Sequence, residues 1–159
     1  MRVHTLEREQ HLPRPPEEAF EFFGDARKLE AITPPWLGFR IVTPGPIEMA
    51  AGTLLDYRLK LHGVPVGWRT RIEQWEPPRR FADVQLTGPY RMWHHSHSFE
   101  PDGEGTLMRD LVRYAPPLWP LGELAHAALV RRDLERIFAF RQQRVAALLG
   151  RSSACNFTK

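Results

Sequence analysis

Cysteine is almost missing from this chain: the one thiol, Cys155, stands close to the end of 159 residues. Without a second cysteine, no disulfide framework holds the fold together. Long apolar runs are missing too, and none approaches the ~18 residues that a membrane span needs. Lysine is scarce, at Lys28, Lys60 and Lys159 only, and the other basic residues are arginines. The net charge of +3 is modest. It is spread along the chain rather than gathered in a basic stripe with aromatics, so nucleic acid is not an expected partner. The opening Met1-Arg2-Val3-His4-Thr5-Leu6-Glu7-Arg8-Glu9 is charged and alternating, unlike a signal peptide. That makes cytoplasm the default compartment, with no stable membrane insertion.

What is present suits one globular core. Hydrophobic residues make up 42% of the chain, and this length suggests one domain. Residues 2–12 alternate as a strand until Pro13-Arg14-Pro15-Pro16 breaks it. Pro16 then suits a helix start, followed by Glu17 and Glu18 where the helix dipole favours acid, and Gly24 stops it. A second short helix fits Asp25 to Ile32, with Asp25 as its cap. From Phe39 to Tyr114 the chain reads as six strands: Phe39–Thr43, Thr53–Leu61, Val64–Trp75, Arg80–Thr87, Tyr90–Glu100 and Thr106–Tyr114. Tight turns between them imply an antiparallel sheet. Residues 119–149 read as helix with an apolar phase that is not constant. Leu121, Leu124, Ala125 and Ala128 make one stripe; Leu134, Ile137, Phe138, Val145 and Leu148 make another. The change predicts a bend near Leu129–Arg131. Residues 151–159 read as a disordered tail. The fold class is therefore α+β, a curved antiparallel sheet covered on its concave face by one C-terminal helix, which leaves room for a small apolar ligand.

The stretch richest in chemistry is Trp93-His94-His95-Ser96-His97-Ser98-Phe99. Alternation puts Trp93, His95, His97 and Phe99 on one face of a strand. Two inward imidazoles each need a partner, so this strand lines a cavity or belongs to a buried polar network. The His62-Gly63 turn pairs Tyr57 with Trp68. The Gly88-Pro89 turn sets Gln85 beside Trp93, Asp83 beside His95 and Phe81 beside His97, and the Pro101–Gly105 loop brings Asp110 beside His95 or His97. Arg141 falls in the middle of the helix's apolar stripe, facing the sheet. A buried guanidinium needs a partner, and Asp110 or Asp83 is the natural one, giving an Arg141–Asp110–His network under the cavity.

Three functions compete for these residues. A His-x-His pair on a strand can bind a metal, but the nearby Arg141 would repel a cation, so neither metal nor cofactor is expected. A His-Asp pair can act as general base, which makes His95, His97 and Asp110 the catalytic candidates; they can equally be a satisfied structural network. Trp68, Trp93, Tyr57 and Phe99 can stack on a flat ligand or be plain core. Trp36 and Trp119 can gate an entrance or act as half-exposed anchors. His62 and His126 need no functional role.

Several of these pieces together resemble the SRPBCC, or START-like, helix-grip superfamily. They are Leu29 with Thr33-Pro34-Pro35, then Gly52 and Asp56-Tyr57-Arg58-Leu59 with His62-Gly63, then Trp68, Trp75 and Pro77-Pro78. Phe81-Ala82-Asp83-Val84-Gln85 with Gly88-Pro89 follows, then the Trp93–Phe99 strand, Gly105-Thr106-Leu107-Met108-Arg109-Asp110 and Ile137-Phe138-Ala139-Phe140-Arg141. Within the superfamily the chain looks like a bacterial ligand-binding subgroup. The resemblance implies a seven-stranded antiparallel sheet gripping the C-terminal helix, two short helices between strands 1 and 2, and residues 1–150 as one START-like domain. Members bind lipids, polyketides, hormones or other apolar molecules, and some catalyse cyclisation or dehydration without a metal. No shared catalytic residue defines them, so none is carried over. The implied cavity falls on Tyr57, Trp68, Gln85, Trp93, His95, Phe99 and Asp110; with His97 and Arg141 these are the expected ligand-binding residues. The first expectation is a binder of a small hydrophobic or aromatic molecule. The alternatives are a cyclase, dehydratase or isomerase using a His-Asp pair, and a protein- or membrane-recruiting module with an exposed patch near Trp36 and Trp119 and no defined cavity. Oligomeric state stays open.

Overall fold

The turn signals translate into one antiparallel sheet. The computed structural model describes residues 1–118 and 120–150. Strand β1 (His4–Leu12) leads through helix α1 (Pro16–Gly24) to β2 (Arg40–Ile41), β3 (Leu54–Leu61), β4 (Val64–Glu76), β5 (Arg80–Thr87), β6 (Met92–Asp102) and β7 (Gly105–Ala115). Across the sheet the order is β1-β7-β6-β5-β4-β3-β2, with every neighbour antiparallel. The chain closes with α2 (Leu121–Ala125), a π-helical turn at His126–Val130, and the long helix α3 (Arg131–Leu149). This is the helix-grip arrangement. No helix among the described residues is long and apolar enough to cross a membrane.

Two register shifts in the β4–β5 pairing, at Arg69/Thr70 and at Ile72/Gln74, mark bulges. A bulge bends its strand and adds twist, so the sheet curls here. The β3–β4 connection is the predicted two-residue turn. His62 and Gly63 both take positive φ, 49° and 80°, as a type I′ turn demands. Its register places Tyr57 opposite Trp68 and Leu59 opposite Val66, as expected.

Apolar side chains gather in three clusters, one of them joining Ala26, Leu55 and Ile72. Under α1, Phe20 and Phe22 pack with Phe81, Phe99, Met108 and Val145. Under the first half of α3, Leu134 and Phe138 pack with Trp93, Val112 and Tyr114.

Several boundaries differ from the sequence expectation. The Phe39–Thr43 strand shrinks to Arg40–Ile41, an edge strand whose only sheet neighbour is β3. The Asp25–Ile32 helix is a 3₁₀ turn over Ala26–Leu29, although Asp25 does cap it by accepting from the Arg27 amide at 3.0 Å. The predicted bend in the C-terminal helix is the π turn, which begins three residues earlier, at His126. The stripe Leu121, Leu124, Ala125 and Ala128 points outward: Leu121 and Leu124 are 71% and 72% exposed, while Gly122 and His126 are buried. Gly122 explains that orientation, since a Cβ there would collide with the Pro117 carbonyl oxygen. Leu148 is exposed and Leu149 packs inward instead. Residues 151–159 and Trp119 lie outside the described residues.

Candidate functional site

Between the sheet and α3 lies a cavity of about 180 Å³. Its walls are largely aromatic and aliphatic, among them Tyr57, Trp68, Tyr90, Trp93, Ile137 and Phe138. Trp68 and Trp93 meet edge to face with ring centres 5.2 Å apart, and Trp68 donates from Nε1 to Thr70 Oγ1 at 3.0 Å. These contacts hold the indole planes in fixed orientations, as flat-ligand recognition requires.

One end of the cavity is charged. Strand β6 points His95 and His97 inward, with ring centres 3.9 Å apart. Strand β5 sets Asp83 opposite His95 and Phe81 opposite His97, and β7 sets Asp110 opposite His97, all as expected from the turns. Asp110 Oδ1 accepts from His95 Nε2 at 3.0 Å. The same oxygen lies 2.7 Å from His97 Nδ1, an ion-pair distance that lacks the alignment of a hydrogen bond. His97 Nε2 faces Asp83 Oδ2 at 3.8 Å, and the His97 ring stacks on Phe81.

These contacts drive two neighbouring histidines apart in protonation. Burial pushes His95 down to about 4, with the charge of His97 adding to it against the pull of Asp110. Burial also works against a charged His97, but the Asp110 carboxylate beside it and the nearby Asp83 outweigh that and raise its pKa. Burial would raise Asp110, yet the charge on His97 and its close contacts with both imidazoles hold it well below the usual carboxylate range. Asp110 therefore stays an acceptor, so His95 Nε2 carries the hydrogen. In the neutral ring His95 Nδ1 is then a lone pair. Burial, followed by the charge of Asp83, pushes the Tyr57 phenol up and keeps it a neutral donor.

Arg141 departs from expectation. It lines the cavity, but it pairs with neither Asp110 nor Asp83. Its Nε is buried without a hydrogen-bond partner, and its guanidinium lies 5.7 Å from the Phe23 ring centre and 5.9 Å from that of Phe138. The two histidines reach Asp110 first because they share the sheet with it, whereas Arg141 approaches from the opposite wall.

Among the other expected ligand residues, Tyr57, Trp68, Trp93, His95 and His97 line the cavity. Gln85, Phe99 and Asp110 do not. The β5–β6 ladder stops at Val84–His94, and the Gln85 amide turns back to close its own loop, donating to the Tyr90 carbonyl at 2.6 Å. Phe99 belongs to the core under α1, and Asp110 sits behind the histidines. Tyr90 was missed because it follows Gly88-Pro89 and reads as the start of a strand. Trp36 is half-exposed against Phe140, with Arg136 over its ring.

Asp83, His95 and His97 place one ligand atom each within 4.8 Å of one another, the spacing of a divalent-cation site. The raised pKa of His97 and the positive charge of Arg141 in the same cavity both oppose a cation there. A second group, missed in the sequence, joins His4, Glu123 and His126 where β1 meets α2, with the same spacing. His4 donates to Glu123 at 3.0 Å, stacks on His126 at 3.5 Å, and Tyr114 and His126 share a 2.9 Å hydrogen bond.

With this geometry in hand, a family comparison matches residues 3–150 to "polyketide cyclase / dehydrase and lipid transport". The chain belongs to that family. A ligand-binding or cyclase-type role comes with membership. No match was found among curated proteins. Solved structures similar to this family member include TTHA0849 from Thermus thermophilus, at 22% identity and TM-score 0.65 over 91% of this chain and 99% of that one. The ZhuI aromatase/cyclase from Streptomyces sp. R1128 is 16% identical with TM-score 0.67 over 96% and 99% of the two chains. A START superfamily protein from Mycobacterium smegmatis is 16% identical with TM-score 0.64 over 91% and 99%. At such identities these structures establish the fold.

Proposed function

We propose that the protein binds a small hydrophobic or aromatic molecule in the cavity between the sheet and α3. One observation carries this reading: a cavity of about 180 Å³ walled mostly by aromatic and aliphatic side chains, with His95, His97, Asp83 and Arg141 among its few polar groups. It is smaller than the ~300–1,000 Å³ of drug-sized sites and holds roughly six water volumes, so the ligand is compact. Apolar burial supplies affinity at roughly 25 cal/mol per Å² before entropy costs. The histidine end sets orientation. A recruiting module needs no internal cavity, so the cavity counts against that alternative.

The test is native mass spectrometry of freshly purified protein, followed by denaturing extraction. A stoichiometric apolar or aromatic molecule is expected. An empty protein whose Trp fluorescence stays unchanged across a panel of small aromatics would overturn the reading.

The neutral His95 on the cavity wall favours a second reading, a cyclase, dehydratase or isomerase. His95 Nδ1 would accept a proton from the bound molecule, while Asp110 fixes the tautomer and stabilises the imidazolium that forms. His95→Gln and Asp110→Asn would then each lower turnover by about 10²–10⁴-fold. Unchanged turnover in both variants would exclude this role.

A further inference from the structure

We propose that the molecule bound in this cavity carries a carboxylate and that the Arg141 guanidinium receives it; this rests on the cavity-binding reading above. Arg141 stands at the centre of the inward stripe of α3, between Phe138 and Val145, both buried. Its Nε is buried and has no hydrogen-bond partner among the described residues. No carboxylate lies within ion-pair distance of it there. Its company is two aromatic rings, Phe23 and Phe138, which also line the cavity. A half-buried guanidinium with a buried, unpaired Nε and aromatic faces for neighbours lacks a counter-charge. The acidic groups that could have served it are committed elsewhere: Asp110 to both imidazoles, and Asp83 toward His97.

Chemistry then selects the partner. The planar fork of Arg matches a carboxylate with two parallel N–H···O bonds. A single negative charge balances the one guanidinium. The second charge of a phosphate monoester would face Asp83 across the same small space. The opposite walls, Trp68 and Trp93 on the sheet and Ile137 on the helix, take an apolar or aromatic body. The ligand class is a small aromatic or branched acid, lying with its ring against the indoles and its acid end toward α3.

Isothermal titration of the full chain at pH 7.5 with naphthalene-2-carboxylate and its neutral isostere naphthalene-2-carboxamide tests this. The wild type is expected to bind the acid about tenfold tighter or more, since a charge-assisted pair replaces a neutral one. Arg141→Met should abolish that preference and leave amide affinity within about threefold, because the apolar walls are untouched. Arg141→Lys, which keeps the charge and loses the fork, should retain part of it. A thermal melt of each variant checks folding; should the Met variant not fold, the wild-type ratio and the Lys variant decide. Equal binding of acid and amide by the wild type, or a preference that survives Arg141→Met, would overturn the carboxylate assignment and leave the cavity reading standing. Failure of both probes to bind a wild type that also purifies empty and stays silent to the aromatic panel would overturn both.

Discussion

His95 and His97 are two positions apart, on one face of one strand, and titrate in opposite directions. Linkage turns this into a stability profile. The folded-state pKa of His95, about 4, lies below the ~6.5 of an unfolded histidine, so the unfolded chain takes the proton first. Its contribution, of order 3 kcal/mol, is present above pH ~6.5 and is lost as pH falls toward 4. His126, also lowered by burial and by neighbouring His4, acts in the same sense. His97 is raised, so its contribution is complete below pH ~6.5 and is lost as pH rises through its folded value. Asp110 contributes above pH ~3.8, and that is lost only as pH falls through its low folded value. Urea unfolding across pH 4–9 should therefore show a maximum near pH ~6.5, with the acid side flattened in His95→Gln. A curve still rising at pH 9 would contradict these assignments. Asp110→Asn takes away the carboxylate that accepts from His95 and the nearest counter-charge of His97, and should cost about 3–5 kcal/mol in the same assay.

At the scale of elements, the C-terminal helix departs furthest from expectation. An α-helix turns about 100° per residue, and the wider π turn at His126–Val130 breaks the phase between α2 and α3. Leu121 and Leu124 consequently face out while Leu134 and Phe138 face in. The α2 segment docks through Gly122 and His126 instead. Gly122→Ala would force a Cβ onto the Pro117 carbonyl, at a cost of about 1–3 kcal/mol by denaturant melt. An unchanged midpoint would mean that this segment does not dock as described. Across the mouth of the grip, His62 at the β3–β4 turn meets Asp133 of α3 at 2.5 Å. The imidazole is well exposed, so the contact positions the hairpin tip and adds little stability.

For the whole molecule, a bound ligand must show as added stability. At a hundred times its Kd a ligand contributes about 2.7 kcal/mol, and each kcal/mol moves the melting point of a domain this size by about 2–4 °C. A molecule that fills the cavity should raise Tm accordingly. A co-purified molecule whose removal leaves Tm unchanged would have to sit elsewhere.

The sheet was legible because its signals are local. Alternation assigns a face, and the turn residues His62-Gly63 and Gly88-Pro89 set registers that put Tyr57 opposite Trp68, Asp83 opposite His95 and Phe81 opposite His97. Two inward histidines with carboxylates beside them follow from that arithmetic. Partner choice does not. Periodicity placed Arg141 inward, but its distance from Asp110 depends on how far the curled sheet holds α3 away, and the β4–β5 bulges that curl it leave no clear mark in residue type. Gln85 could be placed near Trp93 by register, yet its amide found the nearer Tyr90 backbone, because a short loop offers its polar groups at no extra chain entropy. Faces and pairings were thus written in short-range spacing. Which charges meet, and which guanidinium is left facing a cavity, was settled by packing between elements far apart in the chain.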